Sequence, residues 1–246
     1  MALTLSDNQF SAFAKLVLSA PEYKERIGFK EAFKTMKSFF SETKDSFDHG
    51  REVPTVLLVP GIACRSAVMK VLGEPLKDEF NVAYCPDFHA LGFSDIRDSA
   101  IILREKIDEV LREHTDDVYI MAHSLGSLVA LESLRHRNGV SKLVMLSPPL
   151  KGSQHANFVK TFSSACRQLS PGSDYLRSIE DINLDHTEVH SYIAADDVVV
   201  PVGSQVPHRE LSETQELYMK PYLHHDFIIG LKARDFADKI KAVLRG

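Results

Sequence analysis

From Glu52 onward, short apolar runs rich in β-branched and aromatic residues alternate with stretches whose apolar positions recur at helical spacing. The runs fall at 55–59, 81–85, 118–121, 142–146, 188–193 and 215–219. Strands that alternate with helices build βαβ units. With right-handed crossovers these predict an α/β domain with a mostly parallel central sheet of about six strands and helices on both faces. The clearest helix is 96–111, with Ile96, Ala100, Leu103, Ile107, Val110 and Leu111 on one side and charges on the other. A second amphipathic helix, 231–244, closes the chain.

Two regions depart from this alternation. Residues 1–50 are charged and helix-like. Ser6 and Gln9 suit a capping box ahead of Phe10, Phe13, Ala14, Leu16 and Val17, and Pro21 opens a second helix bearing Ile27, Phe29, Phe33, Met36, Phe39 and Phe40. This predicts an N-terminal helical extension packed on a core domain of 51–246. The second region, about 148–187, joins one strand to the next with helical pieces at 158–169 and 174–180. Its length and its place at the carboxyl end of the sheet predict a small lid, with Phe158 and Phe162 turned either to substrate or to the body.

In parallel sheets, functional groups gather at the carboxyl ends of the strands, so the strand ends are where chemistry is expected. The run from Val118 passes through Ala122-His123-Ser124-Leu125-Gly126 into a helical pattern. A serine between small residues at a strand-to-helix switch sits on a sharp turn with its hydroxyl exposed, and the amide-rich helix N-terminus faces whatever it attacks. Ser124 is therefore the candidate nucleophile. The first strand ends in Pro60-Gly61-Ile62, where the turn leaves the Ile62 amide free to donate to an oxyanion. Phe88, Leu91 and Phe93, after the second strand, line an apolar pocket or pack in the core.

A neutral serine is a poor nucleophile and needs a base, and the base needs an orienting acid. In the order serine, acid, histidine, the later strand ends supply both. After 188–193 come Asp196 and Asp197, and after 215–219 come His224 and His225. By position alone either member of each pair qualifies.

These motifs resemble the α/β-hydrolase family, in its lipase/esterase branch, over residues 54–245. Ala122-His123-Ser124-Leu125-Gly126 is similar to the family's small-His-Ser-x-Gly elbow. Asp197-Val198-Val199-Val200-Pro201 resembles its Asp-x-Val-Val-Pro acid loop, and His224-His225-Asp226-Phe227 resembles the His-x-Asp-Phe of some lipases. Residues 167–173, Arg-Gln-Leu-Ser-Pro-Gly-Ser, with Leu176 beyond them, are similar to a segment of bacterial lipase-like proteins. One departure is Pro60-Gly61 where many members carry His-Gly. The resemblance implies a Ser124–His224–Asp197 triad with Asp196 and His225 as the alternatives. It also implies an oxyanion hole of the Ile62 and Leu125 amides, an acyl-enzyme intermediate and a small-molecule acyl ester as substrate. Thioester hydrolysis or acyl transfer uses the same triad, and a non-catalytic binding scaffold is the reading from a different class.

Composition narrows the partners. Net charge is −5 over 246 residues and the pI about 6.1, which gives no basic surface for nucleic acid. Three cysteines without a CxxC fit neither a disulfide framework nor a thiolate metal site, and His224-His225-Asp226 lacks the i, i+4 spacing of a helical zinc motif. No metal is expected. With no dinucleotide fingerprint or glycine-rich phosphate loop, no cofactor is expected either. The start of the sequence carries no signal-peptide pattern, Ala2 stands where myristoylation needs glycine, and no apolar run approaches a membrane span. A cytoplasmic location is the expectation. The oligomeric state is not legible from these patterns.

Overall fold

The computed structural model describes residues 43–47, 52–113, 117–158 and 160–246. The two N-terminal helices expected within 1–42 lie outside the described residues, as does the Phe158 side chain.

The strands are β1 (Thr55–Val59), β2 (Asn81–Tyr84), β3 (Val118–His123), β4 (Lys142–Leu146), β5 (Glu188–Ala194) and β6 (Gln215–Lys220). They form one parallel sheet in the order β2-β1-β3-β4-β5-β6. The helices are α1 (Lys70–Leu76), α2 (Ile96–Glu113), α3 (Leu125–Leu134), α4 (Ser164–Gln168), α5 (Asp174–Ile179), the single turn α6 (Val202–Gln205) and α7 (Gly230–Arg245). Among the described residues no helix is long and apolar enough to cross a membrane.

Central strands are apolar on both faces because both faces are covered. Along β1, Leu57 and Val59 join the buried layer under α2 and α3, while Val56 and Leu58 join the layer under α1 and α7. The same alternation runs through β3, where Ile120 and Ala122 face one layer and Tyr119 and Met121 the other. Each fully buried aliphatic or aromatic side chain contributes roughly 1.5–3 kcal/mol. The two layers therefore hold α2 and α3 on one side and α1 and α7 on the other.

Helix α3 is buried along its whole length, which explains why its sequence has no polar stripe. Its C-terminal carbonyls are satisfied from α2, since Arg104 donates to Ser133 O at 3.2 Å and to Glu132 O at 2.6 Å.

The sequence pattern differs from the structure in two places. Helix α1 is absent from it because Gly73 and Pro75 weaken any helical signal. Packing on β2 and α7 makes the helix regardless. The helix expected over 158–169 is a 3₁₀ turn (Gln154–Phe158) followed by α4, which begins only at Ser164 because the Ser163 hydroxyl caps the Cys166 amide at 3.1 Å. Both helices of this insertion are fastened to the body. Gln168 accepts from the Ile96 amide at the start of α2 (2.8 Å), and Ser163 donates to Phe93 O (2.8 Å). Their buried residues, including Ala165, Cys166, Tyr175 and Leu176, extend the core under α2 and α3. Phe162 is 79% exposed, so it does not pack on the body. Phe88 is buried in the core and Phe93 packs against it.

Gly126 sets how closely α3 crosses β1. A Cβ there would stand 2.5 Å from Pro60 O and 2.9 Å from Val59 O, both rigid backbone atoms. Gly126→Ala is expected to cost about 1–3 kcal/mol, typical of overpacking. A lowered urea midpoint at unchanged slope is the measurement that checks it.

Candidate active site

β3 runs straight into α3 through one residue. Ser124 has φ 51° and ψ −123°, a left-handed conformation that side-chain-bearing residues avoid. The turn is clamped on both sides. The Ser124 amide donates to Leu146 O of β4 at 2.8 Å, and a Cβ on Gly61 would lie 3.1 Å from the Ser124 Cβ. The β1 exit thus passes close enough to the serine that any side chain at residue 61 would press on it.

The other groups arrive from the carboxyl ends of β5 and β6, which a parallel sheet aligns with the end of β3. Beyond β5, the Asp197 carboxylate is fully shielded from solvent. Its Oδ1 accepts the Val199 and Val200 amides, each at 2.8 Å, and its Oδ2 accepts from Gln205 Nε2 at 3.3 Å. Beyond β6, His224 is 2% exposed. A carboxylate only accepts, so His224 Nδ1–H donates to Asp197 Oδ2 at 2.7 Å, which leaves Nε2 to accept the Ser124 hydroxyl at 2.8 Å. Asp197, His224 and Ser124 form one continuous hydrogen-bonded chain. Asp196 is exposed and stands outside that chain. The His225 ring lies 4.9 Å from that of His224 and nearly perpendicular to it.

Three further residues brace this chain. Buried Gln205, on α6, accepts from the Ala194 amide (2.8 Å) and donates to Ala194 O (3.0 Å) and Val200 O (2.7 Å), so it sews the acid loop to the end of β5. Asp226 accepts the Leu223 amide at 2.8 Å and Lys232 at 2.7 Å, which closes the turn that carries both histidines. Buried His123 donates from Nε2 to the His224 carbonyl at 2.9 Å. The sequence patterns point to neither the His123 bond nor Gln205. A lone glutamine eight residues past an aspartate has no local signature, because its partners are backbone atoms of another element.

Electrostatics agree with this arrangement. Burial, with the neighbouring His224 imidazole second, drives the His123 pKa down to about 3, so the ring is neutral and its Nε2 proton is committed to the carbonyl. The surrounding protein, with His224 and His123, likewise holds His225 well below its ordinary value. The Ile62 amide, one residue past Gly61, and the Leu125 amide, first in α3, make no hydrogen bond within the described residues. Both stand beside the Ser124 turn.

No family model matches the chain, and no curated protein is similar to it in sequence. Solved structures are similar in fold. Aspergillus fumigatus lipase B superposes with a TM-score of 0.62 at 15% identity, over 76% of this chain and 52% of that one. A lipase-esterase related protein from Clostridium acetobutylicum gives 0.60 at 14%, over 81% and 97%. The mature Bacillus licheniformis lipase BlEst2 gives 0.60 at 15%, over 83% and 96%. The chain thus spans about half the length of the fungal lipase and nearly the whole of the two bacterial proteins.

A histidine neutral when folded and protonated when unfolded makes stability fall as pH drops below the unfolded value of 6.5 and go on falling towards about 3. His123 contributes up to roughly 1.4 kcal/mol per pH unit of that slope. His123→Gln, which retains a donor, is expected to lose stability less steeply than the native protein between pH 6 and 4, read as unfolding midpoints across pH.

In sheet order, layering and structural likeness, this chain has the α/β-hydrolase fold.

Proposed function

We propose that the protein is a serine hydrolase that cleaves carboxylic esters through Ser124, His224 and Asp197. The observation that carries this reading is the unbroken hydrogen-bonded chain from a buried carboxylate to a serine on a strained strand-to-helix turn. In the first step His224 Nε2 takes the hydroxyl proton as Ser124 Oγ attacks the ester carbonyl. Asp197 holds the imidazole tautomer and stabilises the imidazolium that forms. The Ile62 and Leu125 amides stabilise the oxyanion, each donor contributing about 10²–10³ in rate. The imidazolium returns its proton to the leaving alcohol. Water, deprotonated by the same histidine, then releases the acid and regenerates the serine. Such a site takes a small-molecule acyl ester and requires no cofactor or metal. The lipase and esterase names of the structural neighbours support the ester as the bond attacked, although thioester hydrolysis and acyl transfer use the same groups.

The native protein is expected to react with a fluorophosphonate probe, and Ser124→Ala is not. An unlabelled native protein, or equal labelling of the variant, overturns the proposal. With nitrophenyl esters, Asp197→Asn is expected to lower kcat by about 10³–10⁴ with KM little changed. His224→Ala is expected to abolish turnover while His225→Ala retains most of it. The reverse order would move the base to His225.

A further inference from the structure

The two edges of the sheet are treated differently. At the β2 edge, Ser46 forms an antiparallel bridge to Val82 through both backbone bonds, and Asp45 accepts the Tyr84 amide at 2.9 Å. At the β6 edge no strand follows among the described residues. Two bonds fix which backbone groups of β6 point outward. Thr214 O and Lys220 O both accept from the β5 side, from Val189 N and Ala195 N. Backbone groups alternate along a strand, so the even-numbered residues bond inward and Gln215, Leu217 and Met219 present their N–H and C=O groups to the open edge.

An open edge is normally blunted by outward charge. Here Leu217 is 47% exposed and Met219 61% exposed, the two large apolar side chains that β6 leaves in water. The charged residues Glu216 and Lys220 lie on the opposite face, level with His190 and Ala194 of β5. Between them Tyr218 stacks on Tyr192 at 4.6 Å between centroids.

This order of residues is complementary to itself. If a second β6 is laid antiparallel with Tyr218 on the twofold axis, Glu216 faces Lys220 of the other copy and Leu217 faces its Met219, each twice by symmetry. The backbone parity agrees, since 217 and 219 are both outward-bonding residues and form hydrogen-bonded pairs, while the two Tyr218 form the closer non-bonded pair. Shifting the register by one residue would set an outward-bonding residue against an inward-bonding one, and shifting by two would set Glu216 against Tyr218. We propose that β6 is a homodimer interface, pairing antiparallel with β6 of a second copy about Tyr218 into a continuous twelve-stranded sheet. The apolar pair covers one face of the junction and the ion pair closes the other. The arrangement is isologous, so it ends at two chains and does not propagate.

An edge pairing of six residues a side is a small interface, so the dimer is expected to dissociate on dilution. Sedimentation of the full chain from micromolar to sub-millimolar concentration should show the mass rising towards that of two chains. A single-chain mass throughout overturns the proposal. Register is read by cross-linking. Non-bonded antiparallel pairs bring Cα atoms to about 4.5 Å, within disulfide reach, and the three native cysteines are buried. Oxidised Tyr218→Cys should therefore run as a covalent dimer and Glu216→Cys as a monomer. Equal linking of both, or of neither, overturns it. Should Tyr218→Cys fail to fold, the charge swap decides. Glu216→Lys alone sets like charges opposite each other at two places and should weaken association roughly tenfold or more, and Lys220→Glu in the same chain should restore it. A Glu216→Lys protein that associates like the native one overturns the proposal. None of these readings depends on esterase activity.

Discussion

The arrangement depends on one strained residue. Ser124 occupies a conformation that typically costs 1–3 kcal/mol and persists only where its surroundings over-determine it. Here β3 and α3, buried along their whole lengths, lock both sides of the turn, and β4 holds its amide. Gly61 and Gly126 let β1 approach from two directions without a Cβ in the way. The hydroxyl is thereby aimed by the core of the sheet, so its position does not depend on the loops that reach it.

Those loops must then meet a fixed point, and each is stiffened separately. Gln205 ties the acid loop to β5, and Asp226 with Lys232 closes the histidine turn. His123 links the end of β3 to His224 through the His224 carbonyl. A carboxylate removed from water is costly unless every lone pair is used. Asp197 meets that condition with two amides, one side-chain amide and the imidazole. The strong bond it makes to His224 is thus obtained without an uncompensated buried charge. The neutral, buried His123 adds no competing positive charge beside His224.

Much of the fold was legible because strand periodicity and strand burial have the same cause. All six strand runs appear within a residue or two of their observed ends. Leu57 and Leu58 face opposite layers, so both had to be apolar, and the run stands out. Helix α1 did not stand out because Gly73 and Pro75 are poor helix formers and the packing that stabilises them is remote in sequence. The 158–169 stretch read as one helix because periodicity does not register the Ser163 cap that delays its start.

The sequence by itself determined where chemistry could stand. It did so through a serine at a strand-to-helix switch, two aspartates after β5 and two histidines after β6, because strand ends and turns are written in local residue order. Position alone left each pair open, the motif resemblance pointed to Asp197 and His224, and the tertiary structure joins those two to Ser124 in one hydrogen-bonded chain. Neighbouring residues leave a loop in different directions, and a shift of one position sends Asp196 to solvent while Asp197 turns inward to His224 Nδ1. It also supplied Gln205 and His123, whose partners are backbone atoms far along the chain. The elbow serine was local; the company it keeps is set by distances that no linear pattern encodes.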